Sequence, residues 1–290
     1  MTHIPVLKKE VLFYLDPKAN ENFVDCTFGE GGHSFAILEK NIPEGKILGI
    51  DRSPEMIKRV KKEEERLILR QGRFSNLEEI VKEANFGPVN GVLFDFGMSS
   101  WHIDESKKGF SFKNNEPLDM RYDSEEDITA DEILNKMSCD KIKSILKDYG
   151  EERFAERIAS RIVEERKINP IETTVDLVNI IRESTPGWYH HQRIHFATRT
   201  FQALRIAVNR ELEEIKRGLE DSMDILEKGG RIVAISFHSL EDRIVKNFFR
   251  DNFKKGNLKI LTKKPVIANF EEIKTNRRSR SAKLRAAIIN

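Results

Sequence analysis

The sequence predicts an α/β fold: a mostly parallel sheet with helices on both faces, into which an all-helical domain is inserted. Three observations carry this. Apolar segments of strand length alternate with helical segments from residue 22 to 95, the first of them ends in a glycine-rich turn, and the alternation lapses from about 104 to 210 before resuming. The expected boundaries are 1–103 for the first part of the sheet domain, 104–210 for the insertion and 211–290 for the second part with a basic C-terminal segment.

In the first part, apolar Phe23 to Cys26 leads into a helix from Ser34 to Lys40. Ile47 to Ile50 leads into Pro54 to Glu65, Leu67 to Leu69 into Leu77 to Ala84, and Val92 to Phe94 closes the series. Short strands joined by helical crossovers pair in parallel. In the insertion, Asp131 to Lys136, Asp140 to Tyr149, Arg153 to Glu165 and Val175 to Glu183 place Ile, Leu, Val and Ala at helical spacing, punctuated by Pro170 and Pro186-Gly187. A long helix over Gln202 to Leu226 then returns the chain to the sheet. Gly229-Gly230 precedes a strand from Arg231 to Ser236, and Leu258 to Thr262 and Ala286 to Ile289 supply terminal antiparallel strands.

Composition narrows the classes of function. No run approaches the roughly 18 consecutive apolar residues of a membrane span, and the amino terminus lacks a signal-peptide pattern, so a cytoplasmic protein with no membrane partner is expected. Cys26 and Cys139 are far apart and support neither a disulfide framework nor a cysteine zinc site. The Tyr189 to His195 cluster lacks zinc spacing and has no cysteine or carboxylate to complete it, so no metal is expected. Lysine and arginine (50) nearly balance aspartate and glutamate (48). The last quarter is nevertheless locally basic, at Lys254-Lys255, Lys263-Lys264, Arg277-Arg278-Ser279-Arg280 and Lys283-Leu284-Arg285, which reads as a phosphate-contacting surface or a solvated tail.

The glycine turn, Gly29-Glu30-Gly31-Gly32 followed by His33, lets main chain lie against a ligand. A Walker loop is excluded because no Gly-Lys-Ser or Gly-Lys-Thr closes it. A dinucleotide turn would read Gly-x-Gly-x-x-Gly, and Asp25 in the preceding strand would repel a pyrophosphate. That carboxylate suits S-adenosylmethionine, which carries a sulfonium and an amino group and no phosphate.

Open parallel sheets bind ligands outside the carboxyl ends of their strands. The second strand ends at Asp51, about 20 residues past the glycines, where a carboxylate accepts both hydroxyls of a ribose. Phe74 follows the third strand and either covers an adenine face or packs in the core. Asp95 ends the fourth and is followed by Phe96-Gly97-Met98-Ser99-Ser100, a loop-like sequence. Together these residues favour a methyl-donor pocket.

Several blocks go further: His3-Ile-Pro-Val6, Thr27 to Ser34, Gly109-Phe-Ser-Phe112, Pro117 to Arg121, Tyr149 to Arg153, Ala197 to Ala203, Ile235 to Arg243 and Arg278 to Ser281. Over essentially the whole chain, they resemble the bacterial ribosomal RNA small subunit methyltransferase H family, also called MraW, within the class I (Rossmann-like) methyltransferases. The resemblance implies N4-methylation of a cytidine in the decoding region of 16S ribosomal RNA, with S-adenosylmethionine as cofactor and the small ribosomal subunit as partner. It leaves a homodimer open. It assigns cofactor contacts to Gly31, Gly32, His33, Asp51, Phe74, Asp95 and His102. Many members read Ser-Ser-Pro-Gln or similar where this chain has Ser99-Ser100-Trp101-His102, so His102 either bonds as that Gln would or faces solvent from a loop.

A cytosine amino nitrogen is a poor nucleophile because its lone pair is delocalised, so it must be aligned with the methyl and its protons drawn by polar acceptors. The Asp-Pro-Pro-Tyr motif of many amino-methyltransferases is replaced here by Asp95-Phe96-Gly97-Met98-Ser99. The catalytic candidates are Asp95, and His238 with Asp242 after the fifth strand. The latter pair reads equally as a helix start, with Ser239 as cap and Asp242 complementing the dipole. Arg199, Arg205, Arg243, Arg278 and Arg280 are candidate RNA contacts. Trp101, Phe110, Phe112 and Trp188 are candidate stacking groups, with the polar Gly109 to Phe112 stretch expected to be exposed. Two other classes share some of these features: a nicotinamide-dependent oxidoreductase, and a non-catalytic ribosome assembly factor that needs only the basic segment.

Overall fold

The computed structural model describes residues 4–60, 64–124, 126 and 128–290. The chain divides into two compact units, Met1–Gly97 with Leu212–Asn290, and Met98–Glu211. No helix among the described residues is long and apolar enough to cross a membrane.

The first unit begins with α1 (Lys8–Leu15) and continues through β1 (Phe23–Asp25), α2 (Gly32–Leu38), β2 (Ile47–Asp51), α3 (Pro54–Lys58), β3 (Leu67–Gln71), α4 (Leu77–Glu83) and β4 (Val89–Asp95). The helix expected from Pro54 to Glu65 is thus seen over its first five residues, and Lys61 to Glu63 lie outside the described residues, as does His3.

The second unit holds α5 (Ser100–Asp104), α6 (Ala130–Lys136), α7 (Cys139–Gly150), α8 (Ala155–Glu165), α9 (Thr174–Ser184), α10 (Gly187–His190) and α11 (Thr198–Asn209). The chain then returns to the first unit with α12 (Glu211–Ile225), β5 (Leu226–Ser236), α13 (Ser239–Lys254), β6 (Leu258–Ile260), α14 (Phe270–Thr275) and β7 (Lys283–Ile289).

The seven strands form one sheet in the order β3-β2-β1-β4-β5-β7-β6. The first five pair in parallel, and β7 runs antiparallel between β5 and β6. Successive side chains go to opposite faces, as the period of a strand demands. Val24, Leu48, Val92, Phe94, Ile232 and Ala234 join the core beneath α4, α12 and α13. Phe23, Ile47, Leu93, Val233 and Ile235 join the core beneath α1 and α2. Both faces are therefore covered, which explains why the strands read as continuous apolar runs.

The basic C-terminal run is not a solvated tail. Leu284, Ala286 and Ala287 are core residues of β7. Arg285 is 8% exposed and grips Asp242 of α13 through Nε at 2.7 Å and Nη2 at 3.2 Å. Its exposed cations lie before β7, at Lys254, Lys255, Lys263 and Lys264 and at Arg277 and Arg280 of the 3-10 turn Arg277–Ser281.

The helical unit has its own core of Ile, Leu, Ala and aromatic side chains. Helix starts are fixed locally: Thr129 with Glu132 and Thr173 with Asp176 form reciprocal capping boxes, and Ser138 caps α7. In α8, Ala155, Ile158, Ala159 and Ile162 recur on one buried stripe. No strand is found among the described residues of this unit, although a single antiparallel bridge joins Pro117 and Thr173.

The long helix expected over Gln202 to Leu226 is instead two helices. Arg210 takes a left-handed conformation (φ 51°) and ends α11. The preceding Asn209 clasps the loop at residues 120–122, donating from Nδ2 to Met120 O at 2.7 Å and accepting from Tyr122 N at 3.0 Å. Apolar spacing continues through the break and conceals it.

Candidate active site

The direction of strand succession reverses between β1 and β4, and the carboxyl ends there form the crevice in which such sheets bind ligands. Asp25, Asp51 and Asp95 are the last residues of β1, β2 and β4. Thr27 bridges the reversal, its hydroxyl accepting from Asp95 N at 2.6 Å.

The turn after β1 is built around its glycines. Gly29 (φ 54°) and Gly31 (φ 75°) are left-handed, and a Cβ on Gly31 would stand 2.6 Å from the Phe28 ring. Gly29 N donates to Asp51 Oδ2 at 2.8 Å and Ser53 N to Asp51 Oδ1 at 2.9 Å. Each Asp51 oxygen thus has one lone pair engaged and another left for a ligand hydroxyl. Burial pushes the Asp51 carboxyl up to about 6, against the pull of those two amides.

Asp25 does not face a ligand, as the sequence suggested it would. It is 2% exposed, its Oδ2 accepting from Ser34 Oγ at 2.7 Å and its Oδ1 from Thr27 N at 3.2 Å. Burial raises its pKa above the ordinary carboxylate value. Its work is to hold both ends of the turn.

The more accessible counterpart is Asp95, 19% accessible at its side chain, with Oδ2 3.5 Å from His33 Nε2. Asp95 Oδ1 and both His33 ring nitrogens are buried and lack hydrogen-bond partners among the described residues. Buried polar atoms in a native fold are satisfied. An acceptor and an imidazole left open beside a left-handed glycine turn fit a polar ligand.

Phe74 lies in the 3-10 turn Phe74–Asn76, with ring centroids 5.8 Å from Phe94 and 6.0 Å from Phe96. It is half-buried, so packing at one side leaves surface at the other. Gly32 opens α2, with Pro5 packed 3.2 Å from where its Cβ would be.

At the end of β5, His238 is itself the N-cap of α13, correcting the expectation of Ser239. Glu241 carries the cap, accepting from Phe237 N at 2.7 Å and His238 N at 3.2 Å, and its Oε1 lies 3.1 Å from His238 Nε2. Asp242, held by Arg285, is structural.

In the helical unit, His102 faces no solvent. It is 4% exposed, 2.7 Å from Ser99 Oγ through Nδ1, and ringed by Trp101, Phe110 and Tyr122 at 4.9–5.3 Å between centroids. Phe110, expected in an exposed loop, is 7% exposed, and Phe112 stacks on His195 at 4.4 Å. Arg205 is committed to Glu211 by two bonds of 2.8 Å. Arg199 is exposed and donates to Glu151 O, while Arg243 and Arg280 are exposed and Arg278 is half-buried. Neither could be read from sequence: the ring around His102 needs the chain to fold back and bring Phe110 and Tyr122 onto it, and the Arg205 pair closes across the break at Arg210 that apolar spacing conceals.

A seven-stranded sheet in this order, with an acidic and glycine-rich crevice at its reversal, is the α/β, Rossmann-like fold, and the family model and relatives that follow make the chain a class I methyltransferase. The chain belongs to the MraW methylase family, whose model matches residues 1–289. A ribosomal RNA small subunit methyltransferase H of Persephonella marina is 47% identical over 289 residues, covering 98% of each chain. The protein of that name from Thermotoga neapolitana is 46% identical over 292 residues, covering 98% of this chain and 95% of its own. Among solved structures, one named a putative rRNA-methylase, from Clostridium thermocellum, is similar with a TM-score of 0.50 at 12% identity and full coverage of both chains, a likeness of fold alone.

Proposed function

We propose that the protein transfers the methyl group of S-adenosylmethionine to N4 of a cytidine in the decoding region of 16S ribosomal RNA, acting on the small subunit in the cytoplasm. The observation that carries this is the placement of Asp51, His33 and Asp95 around one glycine turn at the sheet reversal, with polar atoms of His33 and Asp95 left unsatisfied. The relatives' names supply the RNA.

In this reading Asp51 takes the ribose hydroxyls, Phe74 lies against the adenine, and Gly31, Gly32 and His33 line the methionine portion. The cofactor supplies an electrophilic methyl on a positive sulfur. Asp95 Oδ1 accepts an amino proton of the cytosine, and His238, oriented by Glu241, is the second acceptor we assign. Arg199, Arg243, Arg278 and Arg280 contact phosphates. Arg205 is left out because Glu211 holds it, and His102 because aromatic rings enclose it.

Equilibrium dialysis with S-adenosylmethionine tests the pocket. Saturable binding that Asp51→Ala weakens by about tenfold or more, the worth of a charge-assisted hydrogen bond, supports it. Absence of binding, or tighter binding of a nicotinamide dinucleotide, overturns it.

A further inference from the structure

We infer that Arg153 and Trp188 form a docking platform for an unpaired nucleotide of the RNA, the indole stacking on a base and the guanidinium facing a neighbouring phosphate. This rests on the RNA-methylating reading above and lies wholly within the helical unit.

Trp188 on α10 is 52% exposed. The Arg153 guanidinium carbon stands 5.4 Å from its ring centroid and 5.9 Å from that of Phe154, and Arg157 stands 5.8 Å from Phe154. The two presenting segments are locked by one buried carboxylate. Glu152 is 3% exposed, accepts from Phe154 N at 2.9 Å, and takes the Tyr189 hydroxyl at 2.9 and 3.1 Å. Arg153 directly follows Glu152, and Trp188 directly precedes Tyr189. Burial and the Glu152 charge push the Tyr189 phenol above its ordinary range, so it stays a donor. Edge contacts of Trp188 with Phe154 (5.9 Å, 60°) and with Tyr189 (5.9 Å, 82°) fix the ring further.

The local charge is also uncompensated. Glu156 pairs with Lys143 and Glu183 with Arg161, each at 2.9 Å. Arg153 and Arg157 make no ion pair or hydrogen bond among the described residues. A half-exposed indole on a rigid mount beside unpaired cations suits single-stranded RNA, because stacking needs an unpaired base and cations draw its backbone. A duplex would offer phosphates and no base face.

The test uses the full chain with Trp101→Phe, which leaves Trp188 as the sole indole of the two in the sequence. A single-stranded oligoribonucleotide should quench its fluorescence saturably. Trp188→Ala should weaken binding of that RNA by about 5- to 150-fold, the range for loss of a base-aromatic stack, while Trp188→Phe retains most of it. Arg153→Ala should lower the slope of log affinity against log salt by about 0.7, one phosphate contact on a single strand.

Fluorescence unmoved by saturating RNA, or a Trp188→Ala variant that binds RNA as the unaltered protein does, overturns the platform. If Trp188→Ala fails to fold, the quenching and Trp188→Phe measurements decide. S-adenosylmethionine affinity measured on the same proteins separates the two readings: RNA binding through Trp188 without cofactor binding keeps the platform and removes the enzyme.

Discussion

His33 Nε2 lies 3.5 Å from Asp95 Oδ2, joining the first turn of α2 to the end of β4 across the point where the sheet reverses. The pair leaves an acceptor, Asp95 Oδ1, unsatisfied in a largely buried setting. Such a group gains more from a ligand proton than it would in water, because fixed dipoles act strongly where water is excluded. Asp95→Asn keeps the shape, replaces one acceptor by a donor and removes the charge. We expect its turnover in methyl transfer to fall by about 10²-fold or more, with His238→Ala falling less. Equal losses in single-turnover rates for the two variants would shift the acceptor role toward His238.

Asp51 gives a pH dependence. Burial raises its carboxyl to about 6, so the unliganded protein holds it ionised above that pH and neutral below. A neutral carboxyl accepts fewer hydroxyl protons. Cofactor affinity should therefore be level above about pH 6 and fall by up to about tenfold per unit below it, and Asp51→Asn should flatten the profile. The sign for stability is opposite: a raised carboxyl stabilises the fold when protonated, and that contribution is lost as pH rises through about 6. Asp51→Asn should gain on the unaltered protein between the ordinary carboxylate range and neutrality, which thermal melts across pH will read.

Ser34→Ala removes the hydroxyl that holds Asp25 Oδ2 at 2.7 Å in a site 2% exposed. The carboxylate loses a partner without gaining water. We expect a loss of about 1–3 kcal/mol in denaturant unfolding. Lower pH should narrow the difference, since burial already favours the protonated form of Asp25.

Arg205 and Glu211 are each 11% exposed at the side chain and doubly bonded. Arg205→Ala takes the guanidinium from a nearly buried carboxylate that the Tyr122 hydroxyl still bonds at 3.1 Å, and should cost about 3 kcal/mol. Arg280→Ala, at an exposed position, should leave stability unchanged and lower the salt slope of RNA binding by about 0.7. Calorimetric melts and salt titrations on both variants check the contrast.

The site was legible where sequence neighbours set its geometry. Asp51 and Asp95 stand at strand ends because apolar runs stop there, and the left-handed glycines mark the turn by composition alone. What could not be read depends on distant contacts. Asp25 looked ligand-facing because its oxygens are taken by the Ser34 hydroxyl, nine residues on, and by Thr27 N, contacts that exist only once the turn has folded back over the strand end. Arg285 looked like tail charge because Asp242 lies 43 residues away. Phe110 sat among polar neighbours, yet it stacks on Tyr122 at 5.3 Å between ring centroids. The break at Arg210 left no signal in apolar spacing, since helices on both sides keep the same period.

The most direct measurement is methyl transfer from labelled S-adenosylmethionine to small ribosomal subunits lacking the modification, followed by digestion of the 16S RNA to nucleosides. Label is expected in N4-methylated cytidine from the decoding region and is lost with Asp95→Asn. Label in another nucleoside, or none from a protein that binds the cofactor, would contradict it.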